Sequence, residues 1–326
     1  MSGGRRLIVM ERASRRRFLT GLAGTVGLAG TVGLASLGCR PVPRRSVPAR
    51  EVVRVVTAEP RRDGAGVSLR RSVGGAALAM LDPFLLLDEL HSDRQEDFIA
   101  GFPNHPHRGF ETVSYLIAGS FAHADSVGNH GRIGPGDAQW MTAGRGIVHS
   151  EMPEQEPGRE LWGLQLWVNL PAARKMMRPR YQELGASAIP ALDVADARVR
   201  LVAGTVGAKR GPIDGIAGAP TMLDATLPPG GRFHHELPGG HAAFVYLLAG
   251  SAQLGPQRTP LSVGQLAVLG AGREVSVKSD GGARLLLLAA APIGEPVARR
   301  GPFVMNSEAE LDQAVADYRS GRLTDG

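Results

Sequence analysis

The pattern that most constrains this chain is an internal echo. The stretch ETVSYLIAGSFAH (111–123) is matched by AAFVYLLAGSAQL (242–254). Each is followed by a second apolar stretch containing a glycine turn, GPGDAQWMTAG (134–144) and SVGQLAVLGAG (262–272). In both copies an apolar run ends in Leu-(Ile or Leu)-Ala-Gly-Ser, as a buried strand entering a tight turn does. Weak duplication at this scale points to two copies of one β-barrel rather than one long sheet.

The rest of the body agrees. With 44 glycines and 23 prolines among 326 residues, short strands joined by tight turns are favoured over long helices. EVVRVVTAE (51–59) alternates as a strand, and RLLLLAAAP (284–292) is too short to cross a membrane and reads as a core strand. Near the end, NSEAELDQAVADYRSGR (306–322) opens on Asn-Ser, with acids in its first turn. Leu311, Ala314, Val315 and Tyr318 recur at helical spacing, so a terminal amphipathic helix is expected.

The chain carries a formal net charge of +6, but the excess is local. Residues 1–50 hold ten arginines and one acid, leaving 27 basic and 30 acidic residues, a net of −3, for 51–326. The body therefore has no net attraction for a phosphate backbone, and no nucleic-acid partner is expected. Ser14-Arg15-Arg16-Arg17-Phe18-Leu19-Thr20 matches the twin-arginine export pattern, and the glycine-rich apolar stretch 21–38 suits a signal segment better than a spanning helix. Cys39 is the only cysteine, which rules out an intrachain disulfide. Placed directly after Ser36-Leu37-Gly38, it resembles a lipoprotein cysteine, so contact with a membrane is expected only through a lipid anchor there. The protein is expected to be exported by the twin-arginine route, periplasmic or extracytoplasmic, either released or held at a membrane as a lipoprotein.

His105-Pro106-His107 is an H-x-H pair. On a strand, residues i and i+2 face one side, about 6.6 Å apart along the chain, so both imidazoles can converge on one ion. His149-Ser150-Glu151 repeats that geometry. Together the pairs offer three imidazoles and a carboxylate, a donor set that suits Fe, Mn, Ni, Cu or Zn and leaves positions open. The lack of thiolates argues against a structural zinc site.

At these residues the sequence resembles the pirin family. GFPNHPHRGFETVSYLIAGSFAH, GRIGPGDAQWMTAGRGIVHSEMPE, GLQLWVNLP and GEPVARRGPFVMN carry the resemblance, which runs from about 52 to 322. It implies an all-β bicupin: two cupin (jelly-roll) β-barrels with a short C-terminal helix. The expected division is a signal peptide at 1–39, a linker at 40–50 and an N-terminal metal-binding cupin at 51–175. A connection at 176–195, a C-terminal cupin at 196–300 and a tail with the helix at 301–326 complete it.

Carried over residue by residue, the family's metal ligands fall on His105, His107, His149 and Glu151, for one mononuclear divalent metal, Fe(II) first among the candidates. Glu111 stands where generic cupins place a ligand glutamate. In pirins the acid ligand is the one matching Glu151, so Glu111 is expected to bond a ligand histidine or a metal-bound water, and it joins Glu151 as a candidate base. His123 and His130 are candidates for the pocket rim. His234, His235 and His241 read as ordinary polar residues, and Gln139, Trp140 and Met141 as cavity wall or core. Arg145, between two glycines, reads as a turn element or a pocket cation. Some pirins show quercetin 2,3-dioxygenase-like activity, which implies a small phenolic substrate, while eukaryotic pirins are linked to transcription as iron-dependent co-regulators. A metal- or redox-sensing module acting through a protein partner is the rival expectation. A monomer is expected.

Overall fold

The structure, a computed structural model, describes residues 48–154 and 160–325. The twin-arginine segment, Cys39 and most of the linker lie outside the described residues. Residues 48–50, read from sequence as the end of that linker, are packed: Arg50 is buried and donates to the carbonyls of His241 and Gly270 at 2.9 and 3.1 Å.

Strands are the main element of the described residues. The first stretch holds β1 (Val52–Thr57), β2 (Glu59–Asp63), β3 (Val67–Val73), β4 (Phe84–Ser92), β5 (Phe102–His107), β6 (Phe110–Ala118) and β7 (Phe121–Asp125). Then come β8 (His130–Ile133), β9 (Ala138–Thr142), β10 (Ile147–Pro153), β11 (Leu161–Asn169), the one-turn α1 (Ala172–Lys175), β12 (Arg180–Leu184), β13 (Ala191–Val194) and β14 (Ala197–Ala203). The last part holds β15 (Thr205–Val206), β16 (Lys209–Arg210), β17 (Thr221–Leu227), β18 (Arg232–Glu236), β19 (Ala242–Leu254) and β20 (Thr259–Ser262). It ends with β21 (Gln265–Leu269), β22 (Glu274–Lys278), β23 (Ala283–Ala290), β24 (Ala298–Arg300), β25 (Phe303–Met305) and α2 (Glu308–Arg319).

These strands close into two barrels. In the first, a seven-stranded sheet, β12-β9-β6-β11-β4-β3-β2, packs on a four-stranded one, β5-β10-β7-β8. Val67, Leu69, Leu90, Leu116 and Leu161 from the larger sheet meet Phe121 and Ile133 from the smaller in one apolar cluster. The second barrel is built on the path β1-β21-β19-β23-β17-β14-β13, with β18, β20 and β22 attached. The echoed segments hold equivalent central places: β6 lies between β9 and β11, and β19 between β21 and β23.

Strand parity explains the apolar run in β23. Leu285, Leu287 and Ala289 join the interior of the second barrel. Leu286, Leu288 and Ala290 point the other way, into a core shared with Val113, Tyr115, Trp140 and Leu166 of the first barrel. A strand buried on both faces needs no alternation, so it reads as an unbroken hydrophobic run. Each leucine so buried contributes roughly 1.5–3 kcal/mol.

Three segments run between the barrels. Strand β1 pairs antiparallel with β21 of the second barrel rather than with the strands that follow it in sequence. Residues 176–195 are not a plain connection: β12 pairs with β9 on the first barrel and β13 with β14 on the second. The C-terminal hairpin β24–β25 returns to the first barrel, where Phe303 bridges to Arg108. Helix α2 follows, and its start matches its sequence signals. Ser307 accepts from the Glu310 amide while the Glu310 side chain accepts from Ser307, a capping box. Leu311 and Ala314 seal against Phe303, Met305 and Leu323. Tyr318 is 42% exposed, so the helix buries a narrower stripe than its sequence suggests.

Candidate metal centre

Neighbouring strands β5 and β10 carry the histidines, and their register sets the geometry. His149 pairs with His105 and Ile147 with His107, and a bulge follows before Glu151. Burial along β10 alternates strictly, turning Ile147, His149, Glu151 and Pro153 inward, as period-two geometry requires. The result is a triangle of imidazoles: His105 to His149 is 4.4 Å between ring centroids, His105 to His107 is 4.7 Å and His107 to His149 is 5.0 Å. One ring nitrogen from each lies within 4.8 Å of the others.

The rings are prepared to be ligands. His105 Nδ1 lies 2.8 Å from the Pro103 carbonyl, which can only accept, so the proton sits on Nδ1 and Nε2 keeps its lone pair. His107 Nδ1 faces the Pro302 carbonyl at 3.5 Å, a longer version of the same arrangement. Both ring nitrogens of His149 are buried and make no hydrogen bond among the described residues. A buried polar atom without a partner is costly, and a cation bound among the three rings would satisfy it. Burial, with the neighbouring imidazoles second, holds His107 and His149 well below the usual histidine range, so these two rings are neutral and able to coordinate. The residues present therefore fit a metal with imidazole ligands.

Glu151 stands slightly apart. Its carboxylate lies outside the 4.8 Å triangle. It accepts from Ser114 Oγ at 2.6 Å and Gln165 Nε2 at 2.8 Å. It lines the same cavity as His105 and His107, a space of about 550 Å³ walled also by Phe102, Pro103, Gln165, Trp167 and Pro302. Ser114 and Gln165 went unnoticed in the sequence. Each could have been found by parity, since both sit on strands whose neighbours at i±2 face the same side.

Glu111 is placed differently from expectation. Its carboxylate accepts from Thr142 Oγ1 at 2.7 Å and Trp140 Nε1 at 3.1 Å, is buried, and bonds no histidine. It is not part of the cavity wall. Burial raises its carboxyl above the usual range, while Thr142 and Trp140 pull the other way. Its neighbours Gln139, Trp140 and Met141 are core residues of β9.

His123 is buried beside this centre, opposite Glu151 in the β7–β10 register and 2.9 Å from Glu183, with Gly131 leaving room for its ring. It does not line the cavity. His130 and His234 are exposed, and His235 and His241 are half-buried in the second barrel. Arg145 is a turn element: its amide donates to Met177 O at 2.8 Å and its carbonyl accepts from Arg108.

The C-terminal hairpin buttresses the centre from outside. Gly301 and Pro302 line the cavity. Lys175 Nζ, buried, donates to Gly109 O and Asn169 Oδ1 at 2.7 Å and to Val304 O at 3.0 Å, tying the hairpin to the start of β6. Arg108, adjacent to His107, pairs with Asp317 of α2 at 2.7 Å.

Two family models match this chain, pirin over residues 66–168 and the pirin C-terminal cupin domain over 222–324. The chain belongs to the pirin family. A Pseudomonas aeruginosa relative, provisionally named a quercetin 2,3-dioxygenase, is 43% identical over 280 residues, spanning 84% of this chain and 98% of its own. Human pirin is 41% identical over 281 residues, spanning 84% of this chain and 94% of its own. Among solved structures, a quercetin 2,3-dioxygenase from Acinetobacter baumannii superposes with a TM-score of 0.78 at 31% identity, covering 84% of this chain and 98% of that one. The all-β bicupin architecture and the pirin membership expected from sequence both stand.

Proposed function

We propose that this pirin is a metal-dependent oxidoreductase of the quercetin 2,3-dioxygenase type, which opens a flavonol or a related phenolic with dioxygen. The observation that carries the reading is the triangle of imidazoles, two of which, His105 and His107, line a cavity of about 550 Å³. Relatives and a structural neighbour bearing the dioxygenase name support it. In this reading His105, His107 and His149 hold the metal with Glu151, and Fe(II) is the favoured ion. A bound divalent metal supplies Lewis acidity toward the substrate oxygens and electrons toward dioxygen.

The protein's own groups do the rest. Phe102, Pro103, Trp167 and Pro302 give an apolar wall for a flat aromatic ring. Glu151 Oε2 accepts the proton of the phenolic hydroxyl, within reach of the same cavity. Ser114 and Gln165 fix the direction in which that carboxylate points. Glu111, bonded to Thr142 and Trp140, serves the sheet behind the site rather than the proton transfer. The rival reading, a sensing module acting through a protein partner, is disfavoured by a cavity that reaches His105 and His107 directly. Export through the twin-arginine route would place the reaction outside the cytoplasm, with Cys39 as the one anchor point.

The test is metal content followed by oxygen uptake. Mature protein purified without oxygen or chelator should hold about one equivalent of a redox-capable metal, and a His149→Ala variant should lose it. With quercetin, dioxygen consumption should match loss of the flavonol absorbance. A metal-loaded protein that consumes no dioxygen with any flavonol or catechol would leave the sensing module as the better account.

A further inference from the structure

Away from the imidazoles, the wall of the same cavity is charged: Asp63, Arg71, Asp88 and Arg299 line it. Arg71 is already paired with carboxylates through its Nε and Nη2. Its Nε and Nη2 reach both oxygens of Asp88 at 2.7 and 2.6 Å, and Nη2 also reaches Asp63 at 2.8 Å. Each of those carboxylates therefore already has a cation.

Arg299 is the exception. It comes from β24 of the returning hairpin, and among the described residues it forms no ion pair. Its Nη1 donates to the Leu85 carbonyl at 3.1 Å, and its guanidinium lies 4.7 Å from the centroid of the Trp167 ring. Trp167 in turn meets the His107 ring edge-on at 5.2 Å. The order His107, Trp167, Arg299 thus runs from the metal centre to an open cation along one aromatic side chain. A ring lying along this wall has imidazoles at one end and a preoriented guanidinium fork, with Nε and Nη2 uncommitted, at the other. Its place over the Trp167 ring and its bond to the Leu85 carbonyl restrain that fork, so less freedom is lost when it binds a planar anion.

We propose that Arg299 is a specificity-determining residue that selects phenolic substrates carrying a carboxylate at the end remote from the oxygens that meet the histidines. This rests on the oxygenase reading above and narrows it from neutral flavonols to phenolic acids. A carboxylate can accept two parallel, charge-assisted hydrogen bonds from the fork. A neutral substrate leaves the cation to water and gains nothing there.

The experiment uses the mature protein loaded with zinc(II), which carries no redox chemistry and leaves ligands intact. It is titrated with 3,4-dihydroxycinnamic acid, with the methyl ester of that acid, and with quercetin, followed by calorimetry and tryptophan fluorescence. The acid should bind more tightly than its ester by about tenfold or more. In Arg299→Gln the acid-to-ester ratio should fall towards one, and Arg299→Lys should keep part of it, with metal content and circular dichroism checked in each. A ratio near one in the wild-type protein, or one that Arg299→Gln leaves intact, overturns the proposal. If quercetin and the ester bind without preference for the acid, the oxygenase reading survives and this inference falls. If none of the three binds, both fall.

Discussion

Tyr115 and Tyr246 stand at matching positions in the two echoed strands, and each donates its phenol to a buried carboxylate of the other barrel. Tyr115 Oη reaches Asp224 at 2.7 Å, and Tyr246 Oη bonds Glu89. Each carboxylate also takes an arginine from its own barrel: Arg284 reaches Asp224 at 2.6 and 3.0 Å, and Arg70 reaches Glu89 at 2.7 Å. The duplication visible in sequence therefore extends to the chemistry of the shared core, where two polar crossings lock the barrels in one relative position.

Removing either phenol should cost stability. Tyr115→Phe or Tyr246→Phe removes a donor from a carboxylate that stays buried, a loss of about 1–3 kcal/mol each. The two networks touch where Arg284 lies over the ring of Trp162, a donor to Glu89, so the double variant should depart from the plain sum by the coupling between them. Denaturant midpoints would check this, and a double variant as stable as the parent would mean the crossings contribute nothing.

Alkaline pH should find the same weakness. Burial, reinforced by Asp224 and by Glu89, raises both phenols well above the ordinary value of 10.0. The folded protein keeps protons that the unfolded chain gives up, so this contribution is intact below pH 10 and declines as pH rises towards the raised values. The decline is about 1.4 kcal/mol per phenol per pH unit. Lys175 runs the other way: burial pulls it to about 8 from 10.5, so its contribution grows between those values. Stability should hold up to about pH 10 and then fall steeply, and the fall should flatten in the Tyr115→Phe, Tyr246→Phe double variant.

The hydrogen bonds behind Glu151 give a sharper test of the metal centre. Gln165→Leu and Ser114→Ala each remove one donor from that carboxylate without touching a histidine. Partners of this kind typically govern metal affinity or turnover by 10–100-fold, so each variant should bind metal more weakly by about that factor while unfolding near the parent temperature. Metal affinity equal to wild type in both would mean that Glu151 is not a ligand.

Much of this was legible in the chain because strand geometry has a period of two. His105 with His107, and His149 with Glu151, announce a common face whatever the rest of the fold does, and the echo of β6 in β19 announces two barrels. Parity could not tell which way Glu111 would turn: inward-facing positions on β6 look alike until β9 supplies Thr142 and Trp140 as partners. Nor could it say which sheet takes a strand. The alternation of β1 marks it as a strand but carries no mark of β21, more than two hundred positions away. Arg299 and Pro302 were invisible as cavity residues for the same reason, since only the path of the returning hairpin brings them to the first barrel.

That return path can be tested at a single atom. Gly109 follows the H-x-H strand with φ +89°, and a Cβ built there would lie 1.9 Å from the Val304 carbonyl oxygen. Val304 O also accepts from Lys175, and Pro302, two residues earlier, offers its carbonyl to His107. Gly109→Ala must therefore push β25 outward, break the Lys175 clip and loosen His107, besides adding the left-handed strain of about 1–2 kcal/mol that any L side chain meets there. Gly66, at φ +119° with nothing within 4 Å of its Cβ position, separates the two effects. Gly66→Ala should lose only the backbone term and keep its metal. Gly109→Ala should lose several kcal/mol and bind metal more weakly. Equal losses in the two variants, with metal affinity unchanged in both, would show that the hairpin lies against the first barrel without supporting its metal centre.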